Sequence, residues 1–379
     1  MYSHPAIPSC HNLRRPRAQV APLAQLPSSD LHTMEIEHEL AQHLAGAHQD
    51  SLLLELFGGA ATEAIAAEIV KLVTVHGDPV GVRLVRLSSG VVVALNVRGP
   101  HATVVVKVHR APVVDRLAGV IRAQRLLAIA GLPVTTPLAD SPVSMGTGAA
   151  TLETWRADGK AVDVRPAPLR RALARCMYDI ITALDPDQFP ELVSTWRGLY
   201  PPPHAPHFDF VATSKGAEWI DEQATGALAR RCTLEGIGRR VVAHTDVRPE
   251  NVLLDVAESP TVSTIYDLDS LCVDTEPWMV GATARAFSTN WSLDDPMIPT
   301  SAQIHAFLRD YENVRGDAFS ADEAALVDAG VVHALAYSAR CEHALFPDGA
   351  EAPWGPGWRA LLREFTHPGS EAGLSNVRG

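Results

Sequence analysis

The sequence lacks the features that mark membrane, disulfide-rich and nucleic-acid-binding proteins. No apolar run approaches the roughly 18 residues that a membrane-spanning helix needs. The five cysteines lie far apart and form no CxxC pair, so neither a disulfide framework nor a zinc ribbon is predicted. The net charge of −12 disfavours non-specific binding to nucleic acid or to anionic membranes. We therefore expect a protein of the reducing cytoplasm without nucleic-acid or membrane partners, and its oligomeric state stays open.

The N-terminal 33 residues lack a pattern that is typical of folded structure. They contain a cluster of arginines and several prolines, but no acidic residue before Asp30 and no apolar h-region of a secretory signal. We interpret residues 1–33 as a disordered extension or a misassigned start, with a cleaved targeting peptide as the alternative. A helical pattern then begins at Met34.

The remaining chain has the length and the 46% hydrophobic content of a two-lobed globular protein. Period-2 patterns and short turns predict a three-stranded meander over 82–87, 91–96 and 103–108. A helix over 114–130 and a strand over 150–155 follow, and the chain after Gly159 is predominantly helical. The predicted fold class is therefore α+β, with an N-terminal lobe over 34–157 and a C-terminal lobe over 158–379.

One stretch carries the clearest chemical pattern, His244-Thr-Asp-Val-Arg-Pro-Glu-Asn251, followed after a predicted strand by Tyr266-Asp-Leu-Asp269. Phosphoryl transfer needs a base for the attacking hydroxyl, oxygen ligands for magnesium and a cation on the phosphates. Carboxylate and amide oxygens are suitable Mg²⁺ ligands, and Lys107 on the third meander strand is a positioned cation for phosphate. The pattern thus favours transfer of a phosphoryl group from a magnesium nucleotide.

In these motifs the chain resembles the aminoglycoside phosphotransferase family, the small-molecule branch of the protein-kinase-like fold. The resemblance covers roughly residues 50 to 350 and implies a small antiparallel-sheet lobe followed by a larger, mainly helical lobe. It implies Asp246 as the catalytic base, Asn251 and Asp267 as magnesium ligands, and Lys107 as the phosphate-binding lysine. His244 and Asp269 are expected to support the loop, although Asp269 could also touch the metal.

The resemblance also implies a site for ATP or GTP. The small-residue turn formed by Ser88, Ser89 and Gly90 would lie over the phosphates, where backbone N–H groups can approach them. The segment that contains Glu153 and Trp155 resembles the hinge strand that meets the adenine. These five residues are the predicted nucleotide-binding set outside Lys107.

The chain departs from the protein-kinase pattern at several positions. Thr245 replaces the arginine of His-Arg-Asp, no Ala-Pro-Glu follows, and the helix after Lys107 has no glutamate to pair with that lysine. Another acid, or the nucleotide alone, would then hold Lys107. The departures favour a small hydroxylated acceptor over a protein substrate.

Candidates for contact with the acceptor lie in the helical lobe. Carboxylates that follow the metal aspartate could bind the ammonium groups of an aminoglycoside-like compound, or they could be solvated surface charges. These carboxylates are Asp274, Glu276, Asp294 and Asp295. Trp278 and Trp291 could stack on the ligand or pack in the core, and the loop with His204 and His207 could border the acceptor, bind a metal or simply pack.

The function predicted from the sequence is transfer of the γ-phosphoryl group of ATP to a hydroxyl of a small molecule, with Mg²⁺ as cofactor. Some kinase-like proteins keep most of these residues without catalysing the reaction. The alternative is therefore a pseudokinase-like protein that binds a nucleotide or another small ligand.

Overall fold

A five-stranded antiparallel sheet forms the N-terminal lobe in the computed structural model, which describes residues 28–46, 50–200, 208–291, 293–347, 352–355 and 357–366. The strand order is β1-β2-β3-β5-β4. The strands are β1 (Asp78–Leu87), β2 (Val91–Arg98), β3 (Thr103–His109), β4 (Val143–Met145) and β5 (Gly148–Thr154). The predicted meander and the strand after it are confirmed, with β1 starting four residues earlier than its hydrophobic alternation indicates.

Three helices cover one face of this sheet. They are α1 (Ser28–Ala45), α2 (Asp50–Phe57) and α3 (Thr62–Thr74). Their buried aliphatic residues share one hydrophobic cluster with the inward side chains of β2, β3 and β5. The helix expected from Met34 begins at Ser28, and the residues before Ser28 lie outside the described part of the chain.

The helix after β3, α4 (Val114–Ile129), connects the two lobes. Its end is set by Gly131, which has a φ of +85° that a glycine adopts without steric cost. The buried residues Val120, Ala123 and Leu127 belong to the hydrophobic cluster of the C-terminal lobe. The inner face of α4 is therefore packed on the helical lobe although the helix follows the sheet in sequence.

The C-terminal lobe is mainly helical and holds the larger hydrophobic core. Its helices are α5 (Ala167–Ala183), α6 (Glu218–Thr233), α7 (Glu276–Ala284), α8 (Ser301–Arg315), α9 (Ala321–Leu345) and α10 (Trp358–Thr366). A capping box at Ser320 starts α9, since the Ser320 hydroxyl accepts from the Glu323 N–H and the Glu323 side chain accepts from the Ser320 N–H. A second capping box, at Thr300, starts α8. The α+β fold with a sheet lobe and a helical lobe is thus confirmed.

Two short antiparallel ribbons position the loops of the predicted motif. Strand β6 (Arg240–His244) pairs with β9 (Leu271–Thr275), and β7 (Val252–Asp255) pairs with β8 (Thr261–Ile265). The Asp246 loop joins β6 to β7, and the Asp267 segment joins β8 to β9. Because each loop connects the same two ribbons, the ribbon pairing brings them side by side.

No described helix is both long and apolar enough to cross a membrane. The described cysteines, Cys176, Cys232, Cys272 and Cys341, are free thiols. The histidine-rich loop with His204 and His207 lies outside the described residues.

Candidate active site

The carboxylate of Asp246 is fixed through both of its oxygens. Arg248 Nε lies 2.8 Å from Oδ1, and Asn251 Nδ2 donates to Oδ2 at 2.8 Å. Although burial raises the pKa of Asp246, the guanidinium groups of Arg248 and Arg285 hold it below the usual value. Asp246 is therefore an ionised and well oriented carboxylate at neutral pH.

His244 is fully buried directly beneath this loop. Its Nε2 donates to the backbone carbonyl of Tyr266 at 3.0 Å, and its Nδ1 accepts from Ser270 Oγ at 2.6 Å and from the Asp246 N–H at 3.2 Å. Burial lowers the pKa of His244, so the ring is neutral and every ring nitrogen is used. These contacts tie the Asp246 loop to the Asp267 segment, and the supporting role of His244 stays a prediction.

Asn251 and Asp267 stand at the mouth of the β7–β8 ribbon. The Tyr266 N–H donates to the Asn251 carbonyl oxygen at 2.7 Å, which places Asp267 one residue beyond this pairing. Asp267 has a φ of +60°, a left-handed conformation that is uncommon for a residue with a side chain and is frequent at functional sites. The ribbon end therefore presents an amide and a carboxylate together.

Both side chains fit a hard divalent cation. Asn251 Nδ2 donates to the Asp246 carbonyl oxygen at 2.9 Å and to the Asp246 carboxylate, so its Oδ1 is left for a ligand. The Asp267 side chain is 41% exposed, and oxygen donors of this kind are what Mg²⁺ prefers. Among the described residues there is no cluster of three or more histidine, cysteine or acidic side chains suited to a metal.

Asp269 lies two residues after Asp267 and contacts its carboxyl group. A side-chain hydrogen bond joins the two carboxyl groups, and Asp269 Oδ2 lies 3.6 Å from His109 Nδ1. Burial and the neighbouring Asp267 charge raise the pKa of Asp269 well above its ordinary value. The pKa of Asp267 is lowered to about 2 despite burial, because Lys107 stabilises its charge. The two carboxyl groups thus have pKa values shifted in opposite directions.

Lys107 has two carboxylate partners, which answers the question that the sequence left open. Its Nζ lies 3.2 Å from Glu153 Oε1 and 3.3 Å from Asp267 Oδ1. Although burial alone would lower it, the pKa of Lys107 is raised above its ordinary value by Glu153 and Asp267. Glu153, expected from the hinge resemblance to lie near the adenine, is buried and directs its carboxylate to Lys107.

The Ser88-Ser89-Gly90 turn closes the β1–β2 hairpin, with both serines exposed. The Ser88 N–H donates to the Gly90 carbonyl at 3.0 Å. A Cβ on Gly90 would lie 2.3 Å from the Val108 carbonyl oxygen, so only glycine allows the turn to approach β3 this closely. The turn therefore lies near the strand that carries Lys107.

Two arginines that the sequence reading did not single out connect this hairpin to the catalytic loop. Arg86, just before the turn, lies 3.1 Å from Glu250, and Glu250 also pairs with Arg248. A chain of alternating charges thus runs from the β1 strand to Asp246. Arg248 lies only two residues after Asp246, so a contact between them could have been predicted from the sequence. The contact of Arg86 could not, because its partner Glu250 is 164 residues away.

Trp155 follows β5 at the position expected for the hinge. The backbone N–H of Trp155 donates to the Thr103 carbonyl oxygen at 3.2 Å. Its ring centroid is 4.9 Å from the Arg83 guanidinium carbon and 6.0 Å from the Tyr266 ring centroid. The ring is thus held between β1 and the residue before Asp267.

The acidic candidates for acceptor contact divide into two pairs. Asp274 is buried against Arg231, with contacts of 2.6 and 2.8 Å. Glu276 is fully buried and contacts Arg239 at 2.7 Å, Arg315 at 3.4 Å and the Tyr311 hydroxyl at 2.7 Å. Both acids already have guanidinium partners inside the lobe, the arrangement of structural ion pairs.

The other pair, Asp294 and Asp295, is exposed in the loop before α8. Trp278 is fully buried in the core, whereas Trp291 is 46% exposed and lies 5.8 Å, between ring centroids, from Trp354. Only the loop with Trp291, Asp294 and Asp295 therefore offers these predicted side chains to solvent.

Comparison with known proteins agrees with this arrangement. The family model described as "APH: Phosphotransferase enzyme family" matches residues 85–316. No curated protein matches the sequence. Among solved structures, an amicoumacin kinase in complex with AMP-PNP, Ca²⁺ and Ami superposes with a TM-score of 0.56 at 13% identity, over 79% of this chain and 91% of that one. A Plasmodium vivax ethanolamine kinase superposes with a TM-score of 0.50 at 9% identity, over 76% and 82% of the two chains.

The family match spans the hairpin turn, Lys107, the Asp246 loop and the Asp267 segment. The solved structures share the fold of a sheet lobe joined to a helical lobe. Because the family match covers well over half of the chain, the protein belongs to the APH family of phosphotransferase enzymes and is a small-molecule kinase with the protein-kinase-like fold.

Proposed function

We propose that the protein transfers the γ-phosphoryl group of ATP, with Mg²⁺, to a hydroxyl group of a small molecule. One observation carries this proposal. Lys107 contacts Asp267, the backbone N–H of the preceding Tyr266 donates to Asn251, and Asn251 contacts Asp246, so these side chains lie together from the sheet lobe to the Asp246 loop. A phosphate-binding cation, two metal ligands and an acceptor-orienting carboxylate are then present in one cleft. The AMP-PNP and Ca²⁺ bound to the structurally similar amicoumacin kinase are in keeping with a divalent cation and an adenine nucleotide.

In this mechanism Lys107 binds the phosphates from the sheet lobe, and the Ser88-Ser89-Gly90 turn covers them. Asn251 Oδ1 and the Asp267 carboxylate would hold Mg²⁺, which when bound neutralises charge on the phosphate oxygens. Asp269 keeps Asp267 in its orientation, and His244 ties the two loops together. Trp155 flanks the nucleobase at the hinge, while both ATP and GTP remain compatible with these residues.

Asp246 would accept a hydrogen bond from the acceptor hydroxyl and later take its proton. Its lowered pKa makes it a weak base. That is adequate for phosphoryl transfer through a loose transition state, in which the hydroxyl loses its proton late and orientation contributes most. The two contacts that fix the carboxylate, from Arg248 and Asn251, supply this orientation.

The proposed acceptor is a small, hydroxylated compound that bears an amine. The net charge of −12 and the exposed Asp294 and Asp295 favour a cationic ligand at the mouth of the helical lobe. Asp274 and Glu276 are not assigned to the acceptor, because Arg231 and Arg239 neutralise them.

The test is release of ADP from Mg-ATP across a panel of aminoglycosides, macrolides, choline-like amines and sugars. We expect at least one compound to be phosphorylated, and Asp246→Ala to reduce turnover by about 10³-fold or more while the protein stays folded. Unchanged turnover in Asp246→Ala would overturn the mechanism. Binding of Mg-ATP in a thermal-shift assay, without ADP release for any acceptor, would instead support the pseudokinase-like alternative.

A further inference from the structure

The contacts of Glu153 differ from those expected of a hinge residue, because both of its carboxylate oxygens are used inside the lobe. Oε1 lies 3.2 Å from Lys107 Nζ. Oε2 accepts from Gln124 Nε2 at 2.9 Å and from Thr135 Oγ1 at 3.1 Å. Glu153 is 6% exposed and Gln124 4% exposed, so this is a satisfied, buried network of a kind that holds its members in one geometry.

The strand register explains why Glu153 reaches Lys107. Lys107 on β3 is paired with Thr151 on β5, and Val105 is paired with Glu153. Lys107 and Glu153 are therefore diagonal neighbours on the same face of two adjacent strands, a separation that long side chains bridge. The ion pair is internal to the sheet.

Helix α4 supplies only a neutral side chain to this network, Gln124. The helix is held instead from the helical lobe, where Arg122 contacts Glu191 and the Gln188 carbonyl, and Arg116 contacts the Leu271 carbonyl. Gly119 also approaches Glu191 so closely that a Cβ there would lie 2.4 Å from its carboxylate oxygen. The charge that holds Lys107 is thus located on β5, while α4 contacts both lobes.

Of the two carboxylates near Lys107, only Glu153 is free of another proposed task. Asp267 is a proposed magnesium ligand, so its carboxylate would hold the metal when Mg-ATP is bound. We propose that Glu153 is the positioning residue of Lys107 and replaces the helix glutamate that is missing from α4. This inference rests on the proposed function. Lys107 is then held by a carboxylate on a neighbouring strand of the sheet, and α4 contributes only the neutral Gln124.

The experiment is a double-mutant cycle with Lys107→Met, Glu153→Gln and the combined variant. Nucleotide affinity is measured by calorimetry with AMP-PNP and magnesium, and kcat and KM are measured with an acceptor from the panel. Glu153→Gln keeps the shape of the side chain and should lower kcat/KM by about 30-fold or more through the loss of charge. In the Lys107→Met background the same change should cost less than about 3-fold, because the residue acts only through Lys107.

The matched control is Glu191→Gln, which weakens the attachment of α4 but leaves the Lys107 network in place. Its kcat and KM should stay within about 2-fold of wild type. Equal losses from Glu153→Gln with and without Lys107, or wild-type affinity and turnover in Glu153→Gln, would overturn the positioning role. If the wild-type protein itself neither binds AMP-PNP with magnesium nor consumes ATP, the proposed function fails instead. Melting temperatures of all variants show whether a loss arises from unfolding.

Discussion

Replacement of Asp274 by asparagine distinguishes a structural acid from an acceptor-binding one. Asp274 is 1% exposed and contacts Arg231 with both carboxylate oxygens. The Thr275 N–H donates to it at 2.9 Å, and Arg197 lies 3.6 Å away. The Arg231 guanidinium also stacks on Trp278, 4.7 Å from the ring centroid. Asparagine keeps the shape of the aspartate and removes the charge that these arginines face.

The expected loss of stability is large, because one partner of a buried ion pair remains without its counter-charge. Such a change typically costs about 3–5 kcal/mol. With an unfolding entropy of about 2.1 cal/mol/K per residue, a chain of 379 residues would lose roughly 4–6 °C in melting temperature. The exposed pair of Asp187 and Arg240 provides the control, since its loss should cost less than about 1 kcal/mol.

Melting temperature and acceptor KM are measured together for Asp274→Asn and Asp187→Asn. We expect Asp274→Asn to melt several degrees lower, with an acceptor KM within about 2-fold of wild type at a temperature where both proteins are folded. An unchanged melting temperature combined with a raised KM would show that Asp274 faces the acceptor, and the interpretation as a structural ion pair would then be wrong.

Two further outcomes concern other charged groups. Arg86→Ala removes the contact with Glu250 that joins the hairpin turn to the catalytic loop; we expect the KM for Mg-ATP to rise about 2–5-fold while melting stays within about 1 °C, since the arginine is half exposed, and an unchanged KM would refute this coupling. His333 has its pKa lowered to about 4 by burial, and its Nδ1 has no acceptor among the described residues. The histidine of the unfolded chain takes up a proton below about pH 6.5, whereas the buried His333 does so only near pH 4. The contribution of this group to the free energy of unfolding is therefore fully present above pH 6.5 and is lost as the pH falls towards 4. Urea unfolding should show that His333 makes the free energy of unfolding about 2 kcal/mol lower at pH 5 than at neutral pH. His333→Gln should remove this pH-dependent loss, and an identical pH dependence in both proteins would contradict the prediction.

The parts of the site that are local in sequence were predictable. The Asp246 loop, the Asp267 segment and the strand that carries Lys107 are each defined by spacing within a few residues. Their contacts follow once the ribbons pair, because β7 and β8 place Asn251 opposite Tyr266. The roles of the individual side chains in catalysis remain predictions that the proposed variants test.

The burial of the acids was not predictable in the same way. The acids after Asp269 were expected either to contact the acceptor or to be solvated surface charges, yet Asp274 lies on β9, which pairs with β6, and its side chain is buried in the lobe. The partner of that carboxylate, Arg231, lies 43 residues earlier on another element. Neither composition nor local periodicity contains the information that an arginine will meet a given acid, so a buried pair and a solvated acid look alike in sequence.

The partner of Lys107 illustrates the same limit and also its consequence for function. The helix after Lys107 contains no glutamate. The resemblance to kinases alone would therefore leave the lysine without a carboxylate partner. The register between β3 and β5 supplies the missing charge, although 46 residues separate Lys107 from Glu153 and a helix and a further strand lie between them. A charge placed within one sheet is fixed when the sheet folds, whereas a charge on a helix between the lobes depends on how that helix sits. The proposed network therefore predicts that the carboxylate of Glu153 faces Lys107 once β3 and β5 have paired.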